Sequence, residues 1–190
     1  MLKSSIMARF GSLKRKLKNL RRDQSGMAAI EMAFVFPVML TIYFGLVDVT
    51  NLLSANRRVT LAASTLADLV TQAPGVITKA DLTGFYNAVK PIMDPFPSDT
   101  VGIQIYGYRK NGTAVNLRWS DSKNGSCGAA PSTTGLIDLM NENNDLVLAR
   151  VCVSITPITG KIVGSAPYNL TDTLVLRPRQ STTIDCSDCT

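Results

Sequence analysis

From Met27 to Val47 the chain reads MAAIEMAFVFPVMLTIYFGLV, 21 residues with a single charge, Glu31. At about 1.5 Å rise per residue such a run approaches the roughly 30 Å hydrocarbon core of a bilayer, and it predicts a spanning helix. A cleavable secretory signal has a shorter apolar region, about 7 to 15 residues, and then a small-x-small site. The next segment here, DVTNLLSAN, supplies no such site. Pro37 would break a soluble helix; in a membrane helix, where neighbours can satisfy the freed carbonyl, it predicts a kink and not a stop. Beyond the run, Leu52, Ala55, Val59, Ala62, Leu66 and Leu69 recur in steps of three and four. That period puts them on one helical face, so the helix is predicted to continue to Gln72, where Pro74-Gly75 stops it. The stripe over residues 52 to 70 is expected to roof the core of the domain behind it, the alternative being that it packs against copies of itself.

The remaining pattern predicts a small mixed domain. Thr78 followed by Asp81 reads as a helix N-cap, with Leu82, Phe85, Val89 and Ile92 or Met93 as the buried stripe. Pro91 kinks or ends this second helix, and Pro95 and Pro97 allow no continuation. TVGIQIYGYR and TAVNLRWS alternate between apolar and polar and are joined by Lys110-Asn111-Gly112, a hairpin signal. Residues 124–134 read as an irregular loop containing Cys127, with a short helical turn after it at Leu136 to Asn141. DLVLARVCVSIT is predicted as a third strand and TDTLVLRPR as a fourth, with Pro157-Ile158-Thr159-Gly160 as the turn between them. The expected fold class is α+β: a long N-terminal transmembrane helix, then a domain with a second helix and an antiparallel sheet of about four strands. The corresponding segments are 1–26, a basic leader; 27–72, the transmembrane and extended helix; and 73–190, the α+β domain.

Charge gives this layout a direction. The net charge of +6 invites a nucleic-acid reading. However, residues 1–26 hold eight basic residues against Asp23 alone, and the remainder has 12 basic and 13 acidic residues. The bulk of the chain therefore has no basic excess, and no nucleic-acid partner is expected. A basic block directly before an apolar run keeps the N-terminus in the cytoplasm and sends the rest of the chain across the bilayer.

The chain contains no histidine, which removes Ser-His-Asp and Cys-His catalysis and every His-ligated metal site. No enzyme activity, cofactor or metal is expected. Scattered carboxylates such as Asp121, Asp138 and Asp145 read as solvated loop residues and not as an acid/base pair. Cys127, Cys152, Cys186 and Cys189 all lie after the apolar run. An even count on the exported side predicts disulfides, with three pairings open. The CxxC of Cys186 and Cys189 also fits a redox or zinc motif, but it has no second CxxC and no helix after it, so the disulfide reading is preferred.

Glu31 poses the functional question, because an ionisable group in a spanning helix is costly and usually faces a partner. Its nearness to the start of the run also allows it to reach the polar interface. Five positions earlier lies Gly26, between the basic block and the apolar run and beside the small residues Ala28 and Ala29. A membrane protease acting at the cytoplasmic face could cut after Gly26, leaving Met27 as a new N-terminus with Glu31 as the fifth residue.

DQSGMAAIEMAFVFPVML, continuing through ANRRVTLAAS, resembles the class III signal of type IV pilin-like proteins, and more closely the TadE-like pseudopilins of the tight-adherence (Tad/Flp) pilus apparatus. LRPR at Leu176 to Arg179 is a weaker echo. The resemblance covers about 50 residues and implies a pilin-like helix, removal of the leader by a prepilin peptidase, and a minor pseudopilin that takes part in pilus assembly or initiation. It implies as partners the major Flp pilin, other minor pseudopilins and the Tad inner-membrane platform, with the chain as a single-pass protein of the bacterial inner membrane. The alternative is an uncleaved single-pass anchor whose exported domain binds a partner.

Overall fold

The computed structural model describes residues 25–96, 100–125, 127–141, 143–164 and 166–189. The chain divides into two compact units, with the boundary between Leu46 and Val47. Both contain part of one helix, α1 (Ser25–Thr71), which continues through Pro37 without interruption.

The larger unit is α+β. After α1 come β1 (Val76–Ile77), α2 (Lys79–Val89) and a 3-10 turn at Lys90–Met93. The chain then forms β2 (Val101–Asn111), β3 (Ala114–Lys123), a 3-10 turn at Ile137–Leu139, β4 (Asp145–Ile155), α3 (Ile158–Val163), β5 (Tyr168–Leu176) and β6 (Asp185–Cys186). Four strands form an antiparallel sheet in the order β3-β2-β4-β5, and β1 and β6 make a separate two-residue parallel pair.

Strand alternation divides the sheet between two layers. Val101, Ile103 and Ile105 of β2 and Val147, Ala149, Val151 and Val153 of β4 share one core with α1 and α2. Tyr106, Tyr108, Leu146 and Leu148 point to the other face, where Leu136 and Met140 of the 124–144 segment cover them. The covering segment is tied down by the Cys127–Cys152 disulfide and by Arg150 and Arg177, which donate to the carbonyls of Ala129 and Leu139.

Local chemistry explains several of these elements. Thr78 and Asp81 form a reciprocal capping box at the start of α2, satisfying two amides that the first turn would otherwise leave open. The β2–β3 hairpin keeps Asn111 paired with Ala114, so Gly112 and Thr113 are the two loop residues and Gly112 takes φ +62°. Gly107 answers to Trp119: a Cβ there would lie 2.3 Å from Trp119 Cε2. Its absence lets the indole lie against the strand, with Nε1 donating to the Ile184 carbonyl at 2.7 Å.

Several expectations need correction. Residues 158–160, expected as part of a turn, open the helix α3, and β5 begins at Tyr168, earlier than Thr171. The β1–β6 pair was not foreseen, nor was Tyr86 as a buried member of the α2 stripe. Asp145 is not a solvated loop residue: it opens β4 and is 2% exposed. Its carboxylate takes a bidentate pair from Arg109, at 2.6 and 2.8 Å, and the amide of Ile184 at 2.8 Å. The hydrogen bond to Asp145 raises the pKa of Arg109 and keeps the guanidinium charged. Asp121 lies on β3 and accepts from the Tyr86 hydroxyl at 2.8 Å. Burial, reinforced by that bond, pushes the Tyr86 phenol far above its ordinary range.

Candidate functional site

The site predicted from sequence lies on the N-terminal part of α1. Residues 1–24 of the basic leader lie outside the described residues; Gly26 and Met27 are in the first turn of the helix. Every residue from Gly26 to Ile42 is exposed, Phe34 at 75%. This is the one helix among the described residues long and apolar enough to cross a membrane, with a window of mean hydropathy 2.0 in which nothing is buried. In water, so much exposed apolar area carries a large hydrophobic penalty, roughly 25 cal/mol for each Å². A bilayer removes it.

Glu31 is exposed and, among the described residues, has no hydrogen-bond or ion-pair partner. It sits four residues after Met27, one helical turn away on the same face. Pro37 removes the amide that would bond to the Ala33 carbonyl, yet the helix runs on. The first hydroxyl-bearing side chain after Glu31 is that of Thr41, which donates back to the Val38 carbonyl at 2.8 Å.

Beyond Leu46 the same helix changes character. Ala55, Val59, Ala62, Ala63, Leu66, Ala67 and Val70 are buried in the larger unit, so the stripe over residues 52–70 is a core face. Four of these seven buried residues are alanines, so the face is lined largely by small side chains. Asp48, the first charge after the apolar run, is 7% exposed. Its carboxylate accepts from the amides of Ile158 and Thr159, at 2.7 and 2.9 Å, and from the Thr159 hydroxyl. Asp48 thus caps α3 from more than a hundred residues away, occupying the orphan amides of its first turn. At the other end of the core face, Arg179 pairs with Asp68 at 2.8 Å and donates its amide to the Thr71 carbonyl at 2.9 Å. The LRPR segment therefore fastens the end of α1.

The cysteines all belong to the larger unit. Cys127 is bonded to Cys152, with a Cα separation of 5.6 Å, and Cys186 to Cys189. A Cβ at Gly102 would lie 2.7 Å from Cys152 Sγ, so glycine makes room for the first bridge. Donor atoms of Cys186, Asp188 and Cys189 come within 4.8 Å of one another. Both sulfurs are already bonded to each other, and Asp188 accepts from the Lys79 amide at 2.8 Å. The cluster is thus engaged in holding the chain terminus to the start of α2. Sequence reasoning missed Asp48 and Arg179; the signal for Asp48 was its place directly after the last apolar residue of the run.

Residues 26–68 match the family described as TadE-like protein. This segment is TadE-like. The match opens at Gly26 and ends within the core face of α1, covering under a quarter of the chain. Neither the curated proteins nor the solved structures give a match. The match falls on the helix that is long and apolar enough to cross a membrane, which is consistent with a membrane protein related to the Tad pilus system.

Proposed function

We propose that the chain is a minor pseudopilin of a Tad/Flp pilus, held in the bacterial inner membrane by residues 27–47 with the larger unit exported. A prepilin peptidase removes the leader after Gly26, freeing the amine of Met27. Glu31 then neutralises the amine of a neighbouring pilin whose helix is displaced by about one turn. Two opposite charges about 4 Å apart attract by roughly 4 kcal/mol at an effective dielectric near 20, before desolvation is subtracted. That is enough to set the register between two helices.

The observation that carries this reading is Glu31 itself. It is the single charge in the span and has no partner among the described residues, and an unpaired carboxylate in lipid is costly by several kcal/mol. A second chain can supply the missing cation. The TadE-like match beginning at Gly26 supports the position of the cut.

The test is the N-terminal residue of the protein recovered from cells. Met27 is expected where the peptidase is present, and the intact leader where it is deleted or where Gly26→Phe blocks it. Recovery of the leader from cells with an active peptidase would replace this reading with that of an uncleaved anchor. Glu31→Gln should leave insertion and cleavage unchanged while crosslinking to other pilins falls.

A further inference from the structure

The helix α1 enters the larger unit beside an open cavity of about 480 Å³. Its lining includes Asp48, Asn51, Leu52 and Ser54 of α1. These positions lie about 1.5 to 10 Å past Val47 along a helix with 1.5 Å rise per residue. The headgroup layer on each side of a bilayer is about 5–7 Å deep, the difference between the hydrocarbon core and the whole membrane. If residues 27–47 span, Asp48 and Asn51 are at headgroup depth and Leu52 and Ser54 at or just beyond its outer edge, by chain connectivity alone.

The other walls are matched to that depth. Ser154, Thr156 and Lys161 supply a rim of exposed hydroxyls and one ammonium, while Leu52, Phe96 and Ile155 supply an apolar wall. Among the described residues Lys161 has no ion pair. Asp48, the carboxylate in the lining, already accepts from three donors of α3, so its charge is turned to the helix start and not to the cavity. Tyr168, exposed at the start of β5, is the kind of side chain that settles at a membrane interface. The size is that of small-molecule sites in general, about 300–1,000 Å³.

We infer that this cavity binds a phospholipid of the leaflet from which the span emerges. The phosphate sits at Lys161 and the hydroxyl rim, and the glycerol backbone lies against Leu52 and Phe96. The inference rests on the membrane reading proposed above and adds to it a lipid site on the exported unit. Its effect would be to fix the depth and rotation of the larger unit at the bilayer surface.

The test uses the full chain in nanodiscs of phosphatidylglycerol and phosphatidylcholine, with a photoreactive group on the phosphatidylglycerol headgroup. Adducts should concentrate on peptides 48–54 and 154–161. Lys161→Gln should lower them about fivefold, the usual weight of one lysine at an anionic surface, and Lys161→Arg should restore them. Arg57→Gln, about 15 Å beyond Val47 by helical rise and outside the lining, should change nothing. Adducts spread evenly over the protein, or equal losses in Lys161→Gln and Arg57→Gln, would overturn the site. Removal of the adducts by excess inorganic phosphate would assign the cavity to a free anion and overturn the lipid. Release of the protein from membranes by alkaline carbonate would overturn the membrane reading first, and this one with it.

Discussion

The two halves of α1 have opposite environments. From Gly26 to Ile42 each side chain is exposed, whereas Val59, Ala62, Leu66, Ala67 and Val70 are sealed beneath a sheet. What differs is the periodicity and the size of the residues. The first half is apolar all round, with four bulky aromatic residues from Phe34 to Phe44, so no one face is selected and lipid is the solvent that suits it. The second half keeps its apolar residues to one stripe, carries Arg57, Arg58 and Asp68 off it, and places small alanines along the buried face. One continuous helix thus has an exposed apolar half and a half packed into the larger unit, and its first buried residue is Asp48.

Substitutions of the same kind in the two halves should sharpen that contrast. Leu66→Ala, in the full chain in detergent, should lower the stability of the larger unit by about 2–5 kcal/mol through loss of buried area and a residual cavity. Phe34→Ala should shift it by less than about 0.5 kcal/mol, as expected for a side chain outside any packed core. Trp119, the single tryptophan, is the fluorescent reporter for urea titrations of both. Equal losses would mean that the first half also belongs to a protein core.

The next effect in size concerns the face of the sheet turned away from α1. Cys127→Ser with Cys152→Ser opens a loop of 25-residue separation and should cost about 3 kcal/mol in the chain-entropy model. Because the bridge lies in the larger unit, retention in membranes should be unchanged. Loss of membrane retention in this variant would break the division between the halves.

Asp48→Ala is smaller, about 1–2 kcal/mol, the usual weight of a lost cap. Its specific signature is faster amide exchange at Ile158 and Thr159, since their acceptor is gone. Unaltered exchange there would show that α3 does not depend on the carboxylate. The smallest effect on stability is that of Glu31→Gln, near zero, because its side chain is exposed. A measurable destabilisation would show that Glu31 is part of the folded unit.

Much of this architecture was legible in the sequence, and the misses have a common cause. The spanning run, the core stripe of α1, the Thr78–Asp81 cap and the β2–β3 hairpin all depend on neighbours within a few residues, where period and turn chemistry are informative. The helix α3 was hidden because its cap, Asp48, comes from 110 residues earlier, and Pro157 with Gly160 reads locally as a turn. The β1–β6 pair joins residues more than a hundred positions apart with two residues on each side, too short for any alternation to register. Asp145 resembles a solvated charge until Arg109 is brought across from β2. In the candidate site, the residues of the first half of α1 were singled out because their signal is a charge where none is expected. Asp48, the first buried residue of α1, had only its place after the last apolar residue of the run as a signal, and its partners on α3 are distant in sequence.

The central claim, that lipid surrounds the first half of α1 and protein and water the second, is tested most directly by spin labels in nanodiscs containing the full chain. Labels introduced singly at Phe34, Val38, Ile42, Leu46, Leu53 and Leu61 report collision with oxygen, which concentrates in lipid, or with a water-soluble nickel chelate. Oxygen should dominate from Phe34 to Leu46 and the chelate at Leu53 and Leu61. Chelate access at Phe34 and Val38, or oxygen dominance persisting through Leu61, would contradict the account.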